Sequence, residues 1–317
     1  MVVVMRRRGS SGRSAMPWLG ADMSDGWRSR ARRTSFAFDR SPGSRVFDGN
    51  RDGTAKRSFM SARAWPSDLV SGTYEQLADE YYDPRLHPTC ANFREASALA
   101  LAPWLRIAIE QSTVVAEVGA GRSLAAEEFT VRHLSLSNLF LLDSSRKMLA
   151  HSSTWGDRGA RLIISDAKRL PFAPETFDLV VASLGDPYNG LEFWRAAHRV
   201  LKPGGHVAFT TPSYEWAVAF RGRSAGANEL DHAQFTLANG SRLAVPSSIL
   251  PERQQRELIE RAGFVVDQIA GIHLEAISAT PISPKLLASS ADPVLRAYCV
   301  TKTGSGETVR RPWAKPT

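Results

Sequence analysis

Three carboxylates stand at the ends of apolar runs of strand length: Glu117 within Val114-Val115-Ala116-Glu117-Val118, Asp143 at the close of NLFLLD, and Asp166 at the close of RLIISD. Parallel strands of one sheet bring their carboxyl ends to a common edge, so the three acids are expected to line one crevice despite their separation in sequence. Carboxylates so placed accept hydrogen bonds from the hydroxyl and amino groups of a ligand. Taken singly, each would as readily cap the helix that follows it. Val118 is followed at once by Gly119-Ala120-Gly121-Arg122-Ser123. Glycines in such a turn let a ligand approach the backbone, and the outgoing helix, from about Leu124, offers unpaired N–H groups. Asp143 lies about 20 residues beyond the glycines, the spacing at which an acid accepts both hydroxyls of a ribose. A dinucleotide fingerprint would carry a third glycine at position 124, where Leu124 stands, and hydride chemistry is thereby disfavoured.

These groups need a frame. From Thr113 onward, TVVAEVG, NLFLLD, RLIISD, FDLVVASL and HVAFTT each precede a loop or a helix. That alternation predicts βαβ units and a parallel sheet buried on both faces. Upstream, Tyr74, Leu77, Ala78 and Tyr81 at helical spacing place the start of order near Thr73. A second helix is expected from Asn92 to about Glu110, ended or kinked by Pro103, with His87-Pro88-Thr89-Cys90 as a loop between the two. Downstream, Pro251 to Ala262 reads as a helix capped by Ser247 or Ser248 and stopped by Gly263. Apolar runs from Phe264 to Ile269 and from Ala297 to Lys302 complete the sheet.

Four ordered segments together resemble the class I S-adenosylmethionine-dependent methyltransferases: VAEVGAGRS, LLDSS, SDAKRLPFAPETFDLVVASL and RVLKPGGHVAFTTPS. The resemblance covers residues 113 to 213 well and extends more loosely through ELIERAGF. It implies an α/β fold, a Rossmann-like seven-stranded mostly parallel sheet with helices on both faces and one antiparallel strand near its edge. It also implies S-adenosyl-L-methionine as cofactor. Gly119 and Gly121 would let the methionine portion cross the turn, with Glu117 beside its amino group. Asp143 would hold the ribose, Asp166 and the backbone N–H of Ala167 the adenine, and Ser144 its edge. Ser123 stands where the family carries a third glycine. Met148, also near the adenine, reads as core.

Transfer of a methyl group from a sulfonium is an in-line displacement, so the protein must chiefly place a nucleophile about 3 Å from the methyl carbon. No metal is required, and none is expected. If the nucleophile is a hydroxyl or an amine, a base must take its proton, and the segment after FDLVVA offers Asp186, Tyr188 and Asn189 on a constrained loop. Asp186-Pro187-Tyr188 is similar to the [DNS]PP[YF] motif of amino-methylating nucleic-acid enzymes, with one proline missing; read blandly, it is a turn. Asp186 and His232 are the candidate bases. Tyr188, Asn189, Tyr214 and Arg94 are candidates for the acceptor's surroundings, Arg94 because its planar fork pairs with carboxylates. His87 is ambiguous between a loop residue and a base, and His206 reads as structural. Residues 214–250 form the insert expected to choose the acceptor.

The chain has 317 residues with 40 Lys+Arg against 32 Asp+Glu, but residues 1–66 hold 14 and 5 of these, leaving 26 against 27 in the remainder. The basic character belongs to the leader, residues 1–69, which is Arg-, Ser- and Gly-rich and reads as a disordered tail, with Met60 as an alternative start; a transit peptide and an electrostatic tether are its sharper readings. A helical lid over 70–112, the methyltransferase domain over 113–305 and a polar tail over 306–317 complete the organisation. The body carries no basic stripe to track phosphates, so a small-molecule acceptor is expected rather than nucleic acid. Two cysteines, Cys90 and Cys299, exclude a disulfide framework, and no run of about 18 apolar residues spans a bilayer. A cytoplasmic monomer or homodimer is the resulting expectation. Its rivals are an amino-methylating enzyme acting on nucleic acid and a regulatory module that binds the cofactor without turnover.

Overall fold

A computed structural model describes residues 66–110, 113–224, 231–278, 281–289 and 293–303. The expected leader lies outside these except for its last residues, as do the polar tail and residues 225–230 of the insert. Seven strands form one sheet: β1 (Val115–Val118), β2 (Leu139–Asp143), β3 (Arg161–Ile164), β4 (Phe177–Ala182), β5 (Leu201–Pro212), β8 (Phe264–Ile272) and β9 (Leu295–Lys302). Their order is β3-β2-β1-β4-β5-β9-β8, and β9 runs antiparallel to both neighbours. The expected mostly parallel sheet with an antiparallel strand near its edge is therefore present. β6 (His232–Thr236) and β7 (Arg242–Pro246) form a separate hairpin inside the insert.

Alternate side chains of β4 serve opposite cores. Leu179 and Val181 join a cluster with Ala96, Leu101 and Trp104, whereas Val180 and Ala182 join one with Phe193, Trp194 and Ile259. The first face is covered by α2 (Pro88–Glu110), α3 (Leu124–Val131) and α7 (Tyr214–Ser224), the second by α6 (Leu191–Val200) and α8 (Glu252–Arg261). Burial on both faces is why these strands read as continuous apolar runs. α1 (Ser67–Leu77), α4 (Arg146–Ala150) and α5 (Ser153–Gly156) lie at the edge that holds the strands' carboxyl ends or beside it. β1 is flanked by β2 on one side and β4 on the other, in register through Glu117↔Leu141 and Glu117↔Val181. The chain reverses its direction of winding at β1, so a crevice opens at its carboxyl end.

Three boundaries differ from the sequence reading. α1 begins at Ser67, six residues before Thr73. α2 begins at Pro88 and absorbs the expected His87–Cys90 loop; proline fits a helix's first turn because its missing N–H would be unpaired there. α2 also continues through Pro103, held by Ala100, Leu101, Trp104 and Leu105, which are buried on both sides of it. At α8 the N-cap is Pro251, with no side-chain cap, and the Ser247 hydroxyl is engaged with Asp186 instead. Gly263 does end that helix, at φ +93°, where a Cβ would lie 2.9 Å from His198 Nε2.

Trp194 is fully buried between α6 and the sheet, and its indole N–H donates to Asn189 Oδ1 at 3.0 Å. Trp194→Ala is expected to destabilise the fold by about 3–5 kcal/mol, the range for emptying such a site. A urea unfolding midpoint unchanged from the parent protein would contradict this packing.

Candidate functional site

The glycine turn leaves β1 with Gly119 at φ +66° and Gly121 at φ +42°. Two tyrosines lie against it. Tyr188 Oη donates to Val118 O at 2.7 Å and would stand 2.8 Å from a Cβ on Gly119; Tyr82 Oη accepts from Arg122 N at 2.7 Å and would meet a Cβ on Gly121. Both positions therefore require glycine for conformation and for space. Glu117, buried at the end of β1, accepts from Ser123 Oγ, from Leu124 N at 3.1 Å and from Ala125 N at 3.2 Å, while Ser123 Oγ accepts from Ala126 N at 2.9 Å. Ser123 is thus the N-cap of α3 rather than a contact in the crevice, and Glu117 fastens the turn to the first N–H groups of that helix.

Asp143 accepts from Gly121 N at 3.0 Å through one oxygen and from Ser145 N at 2.9 Å through the other. No cationic side chain pairs with it among the described residues. Burial pushes its carboxyl up to about 6, against the pull of these N–H groups. Burial likewise raises Glu117, to about 7, opposed by Ser123 and the two backbone donors.

A cavity of about 80 Å3 lies over the turn; Glu117, Gly119, Asp143, Ser144, Ala167 and Tyr188 are in its wall. Met148 closes it too, and is part of the site rather than plain core. Arg94 borders the cavity but is engaged, donating to Arg122 O at 2.7 Å and pairing with Glu127 at 2.7 Å. The expectation that three carboxylates share the crevice holds for Glu117 and Asp143. Asp166 turns away: it lies two residues past the end of β3, accepts from Ser67 Oγ at 2.7 Å and from Lys168 N at 2.9 Å, and borders an adjoining open groove.

A second cavity, of about 490 Å3, adjoins the first, and Tyr74, Tyr81 and Leu184 belong to both walls. Asp186 and His232 line it. Asp186 lies in a short 3-10 turn after β4, accepts from Ser247 Oγ at 2.5 Å, and is pushed up to about 6 by burial, with the Ser247 hydrogen bond and the nearby Arg221 charge acting the other way. Ser247 Oγ in turn accepts from Arg221 Nη2 at 3.1 Å. His232 Nδ1 is 2.8 Å from Asp231 Oδ1.

Two candidates for the acceptor's surroundings are structural. Asn189 is buried in a side-chain clamp, bonded to Ser248 O at 3.0 Å, to Gln255 Oε1 at 2.6 Å and to Trp194. Tyr214 packs against the core at the start of α7 and does not line the cavity. Leu184, by contrast, escaped the sequence reading. It holds φ +52° at the junction of the cavities, with its N–H donated to Thr210 Oγ1 at 2.9 Å. A branched side chain in this backbone region is strained. Arg221 was also missed, since nothing in its local sequence marks it as buried beside a carboxylate.

Comparison with known proteins agrees with this arrangement. Residues 116–209 match the methyltransferase domain family model. A segment of 109 residues, 33% of the chain, is 33% identical to the malonyl-[acyl-carrier protein] O-methyltransferase of Marinomonas sp. (strain MWYL1), and 94 residues, 28% of the chain, are 42% identical to the mitochondrial arginine-hydroxylase NDUFAF5 of Danio rerio. These segments span 40% and 27% of the two relatives. In fold, the chain resembles one from the complex of the Haloferax volcanii Trm112 methyltransferase activator with a methyltransferase, with a TM-score of 0.56 at 17% identity over 75% of this chain and 100% of that one. Residues 116–209 thus carry the methyltransferase-domain signature, on the fold of the class I S-adenosylmethionine-dependent methyltransferases. The methyltransferase domain is accompanied, among the described residues, by no helix long and apolar enough to cross a membrane.

In the folded domain Glu117 retains a proton that the unfolded chain, with an ordinary value of 4.5, releases. Its contribution therefore favours the fold most at or below about pH 4.5 and is lost as the pH rises to about 7. Glu117→Gln, which cannot ionise, is expected to shrink the fall in stability between mildly acidic and neutral pH by on the order of 2 kcal/mol. Urea unfolding at the two pH values reads this directly; an undiminished fall would show that Glu117 is not the group responsible.

Proposed function

We propose that the chain transfers a methyl group from S-adenosylmethionine to an oxygen or nitrogen of a small molecule, with Asp186 as the base. The observation that carries this reading is the shared wall of the two cavities. One holds the glycine turn and an unpaired, buried carboxylate, and the other, directly behind Tyr74, Tyr81 and Leu184, holds a second buried carboxylate.

The residues present fit the cofactor. Asp143 has no counter-cation among the described residues, keeps lone pairs free beside its bonds to Gly121 N and Ser145 N, and faces the cavity, which is the chemistry that two ribose hydroxyls satisfy. Gly119 borders the cavity beside Tyr188, and Ser144 and Ala167 border the place for the adenine. Asp166 supports that wall through Ser67 and Lys168 rather than meeting the ligand. Bound there, S-adenosylmethionine supplies a methyl group already activated as a sulfonium.

The chain's own groups then have defined tasks. Asp186 accepts the acceptor's proton, and Ser247 and Arg221 hold its carboxylate in place. Tyr74, Tyr81 and Leu184 separate the reacting atoms from water. α1 contributes Val70 and Tyr74 to the wall of the cavity over the turn. That segment is fastened by Ser67 to Asp166, by Ser71 Oγ to Ser144 O at 3.0 Å, and by Glu75 to Ser145 Oγ at 3.1 Å and Lys147 N at 3.2 Å. Its bonds end on residues beside the cofactor's place, so the segment and that place are positioned together. A cavity of about 490 Å3 beside Asp186, of small-molecule size, favours a small molecule over a base in a polymer, and its presence favours an enzyme over a regulatory module whose acceptor pocket is closed.

Asp143→Ala is expected to weaken binding of S-adenosylhomocysteine more than tenfold, about 1.4 kcal/mol, by calorimetry; an unchanged dissociation constant would remove the ribose assignment. With Asp186 as base, turnover rises with pH through about 6 as its carboxylate forms. Asp186→Asn is expected to lower kcat by about 100-fold and to abolish that limb while leaving donor binding intact. Labelled donor incubated with the protein and fractionated cell extract supplies the readout, and label appearing in nucleic acid would overturn the acceptor class.

A further inference from the structure

The larger cavity has an organised wall. Phe93 meets Trp216 edge to face, with centroids 4.7 Å apart at 85°, and Trp216 stacks on Phe220 at 5.6 Å and 13°. Phe235, carried across by the β6–β7 hairpin, closes the opposite side against the His87 ring at 5.4 Å. All four rings line the cavity. Flat ring faces are filled best by another ring, in offset or edge-on contact, and a volume of about 490 Å3 lies within the range of small-molecule sites. A flexible aliphatic chain would leave these faces without matched contacts.

Two opposite charges line that cavity, one on a buried side chain and one on an exposed side chain. Asp186 is one. Lys285 is the other, and its place is set by the backbone: Lys285 O accepts from Trp216 Nε1 at 2.7 Å. The loop leading to it is pinned by Asn92, which donates to Pro281 O at 3.3 Å and accepts from Ser283 N at 2.9 Å. The Lys285 ammonium stands 5.6 Å from the Phe220 ring centroid, and no carboxylate pairs with it among the described residues. Arg221 is already committed to Ser247 beside Asp186, which among the described lysines and arginines of the wall leaves Lys285 to meet an occupant.

We propose that the acceptor is a small hydroxylated aromatic acid, its ring seated against Trp216 and Phe220, its hydroxyl toward Asp186 and its carboxylate toward Lys285. The proposal rests on the methyl-transfer reading above. Like-charge repulsion from Asp186 and attraction to Lys285 set the same orientation of the ring. The hydroxyl proton passes to Asp186 and the oxygen bonds to the methyl carbon. The carbon–sulfur bond breaks with its electron pair kept by sulfur, so that an aryl methyl ether, S-adenosylhomocysteine and a proton leave the site.

The test is calorimetric titration of the full chain, without methyl donor, with para-hydroxybenzoate and a hydroxynaphthoate, each beside its uncharged methyl ester, and with tyramine. At least one acid is expected to bind about fivefold tighter than its ester, the size of a partly exposed ion pair. Lys285→Gln is expected to erase that difference while leaving the ester's affinity unchanged, which also shows that the variant folds. Equal binding of acids and esters, preference for tyramine, no binding of either acid, or an acid affinity indifferent to Lys285→Gln would each overturn the proposal. Because these titrations contain no donor, their failure is separate from a failure of the methyl-transfer reading, which S-adenosylhomocysteine binding tests alone.

Discussion

The buried carboxylate of Glu117 is the constraint on which the site depends. It stands inside the sheet at the end of β1 and takes three donors from the start of α3, so strand, turn and helix become one rigid corner. Without it, the first N–H groups of α3 would be buried with no acceptor at that end of the sheet, and the two glycines at positive φ would be free to relax. Fixing that corner also fixes Gly121 N, which donates to Asp143 and so carries the geometry from β1 to β2. The two carboxylates are therefore coupled through one turn of backbone rather than through each other.

Burial of these groups runs against ordinary solvation. Glu117, Asp143 and Asp186 are all held above their usual range by loss of water. Glu117 recovers part of that cost internally, from three hydrogen bonds. Asp143 and Asp186 recover less, since each faces a cavity with few partners. An unfilled requirement for donors at these two positions is what a ligand's hydroxyls can meet, and it is the physical reason for placing the cofactor at one and the acceptor's proton at the other.

Much of this frame was legible from the sequence because its signals are local. Apolar runs of strand length, a glycine pair, and acids at the ends of the next strands suffice to place β1, β2, the turn and Asp143. What was misread depended on contacts distant in sequence. Asn189 looked like a loop amide but is committed to Ser248 and Gln255, about 60 residues on. Ser247 looked like a helix cap but bonds to Asp186. Asp166 looked like a strand-end acid facing the crevice and is claimed by Ser67 from α1. Leu184 could not be read at all, since its strained backbone is imposed by Thr210 and by the ring of Phe209, which leaves room only for glycine at position 185.

The two cavities differ in how they are built, and this difference explains why the acceptor is harder to read than the cofactor. Around the glycine turn, the cavity is lined by the turn and by the strand-end acids Glu117 and Asp143, so the proposed cofactor site is encoded in short local segments. Behind Asp186 the wall is assembled from α1 and the segment after it, α2, the turn after β4, α7, the β6–β7 hairpin and the loop over 281–285, and no one element supplies it alone. No short window of sequence contains Phe93, Trp216, Phe235 and Lys285 together. Their meeting depends on Asn92 holding the loop over 281–285 and on Trp216 holding the Lys285 carbonyl, two long-range bonds that also pack the core. On the proposed reading, specificity on this side is a property of tertiary packing, and a substitution in the hydrogen bonds beneath the wall would reshape the larger cavity without touching any residue that lines the smaller one beside the glycine turn.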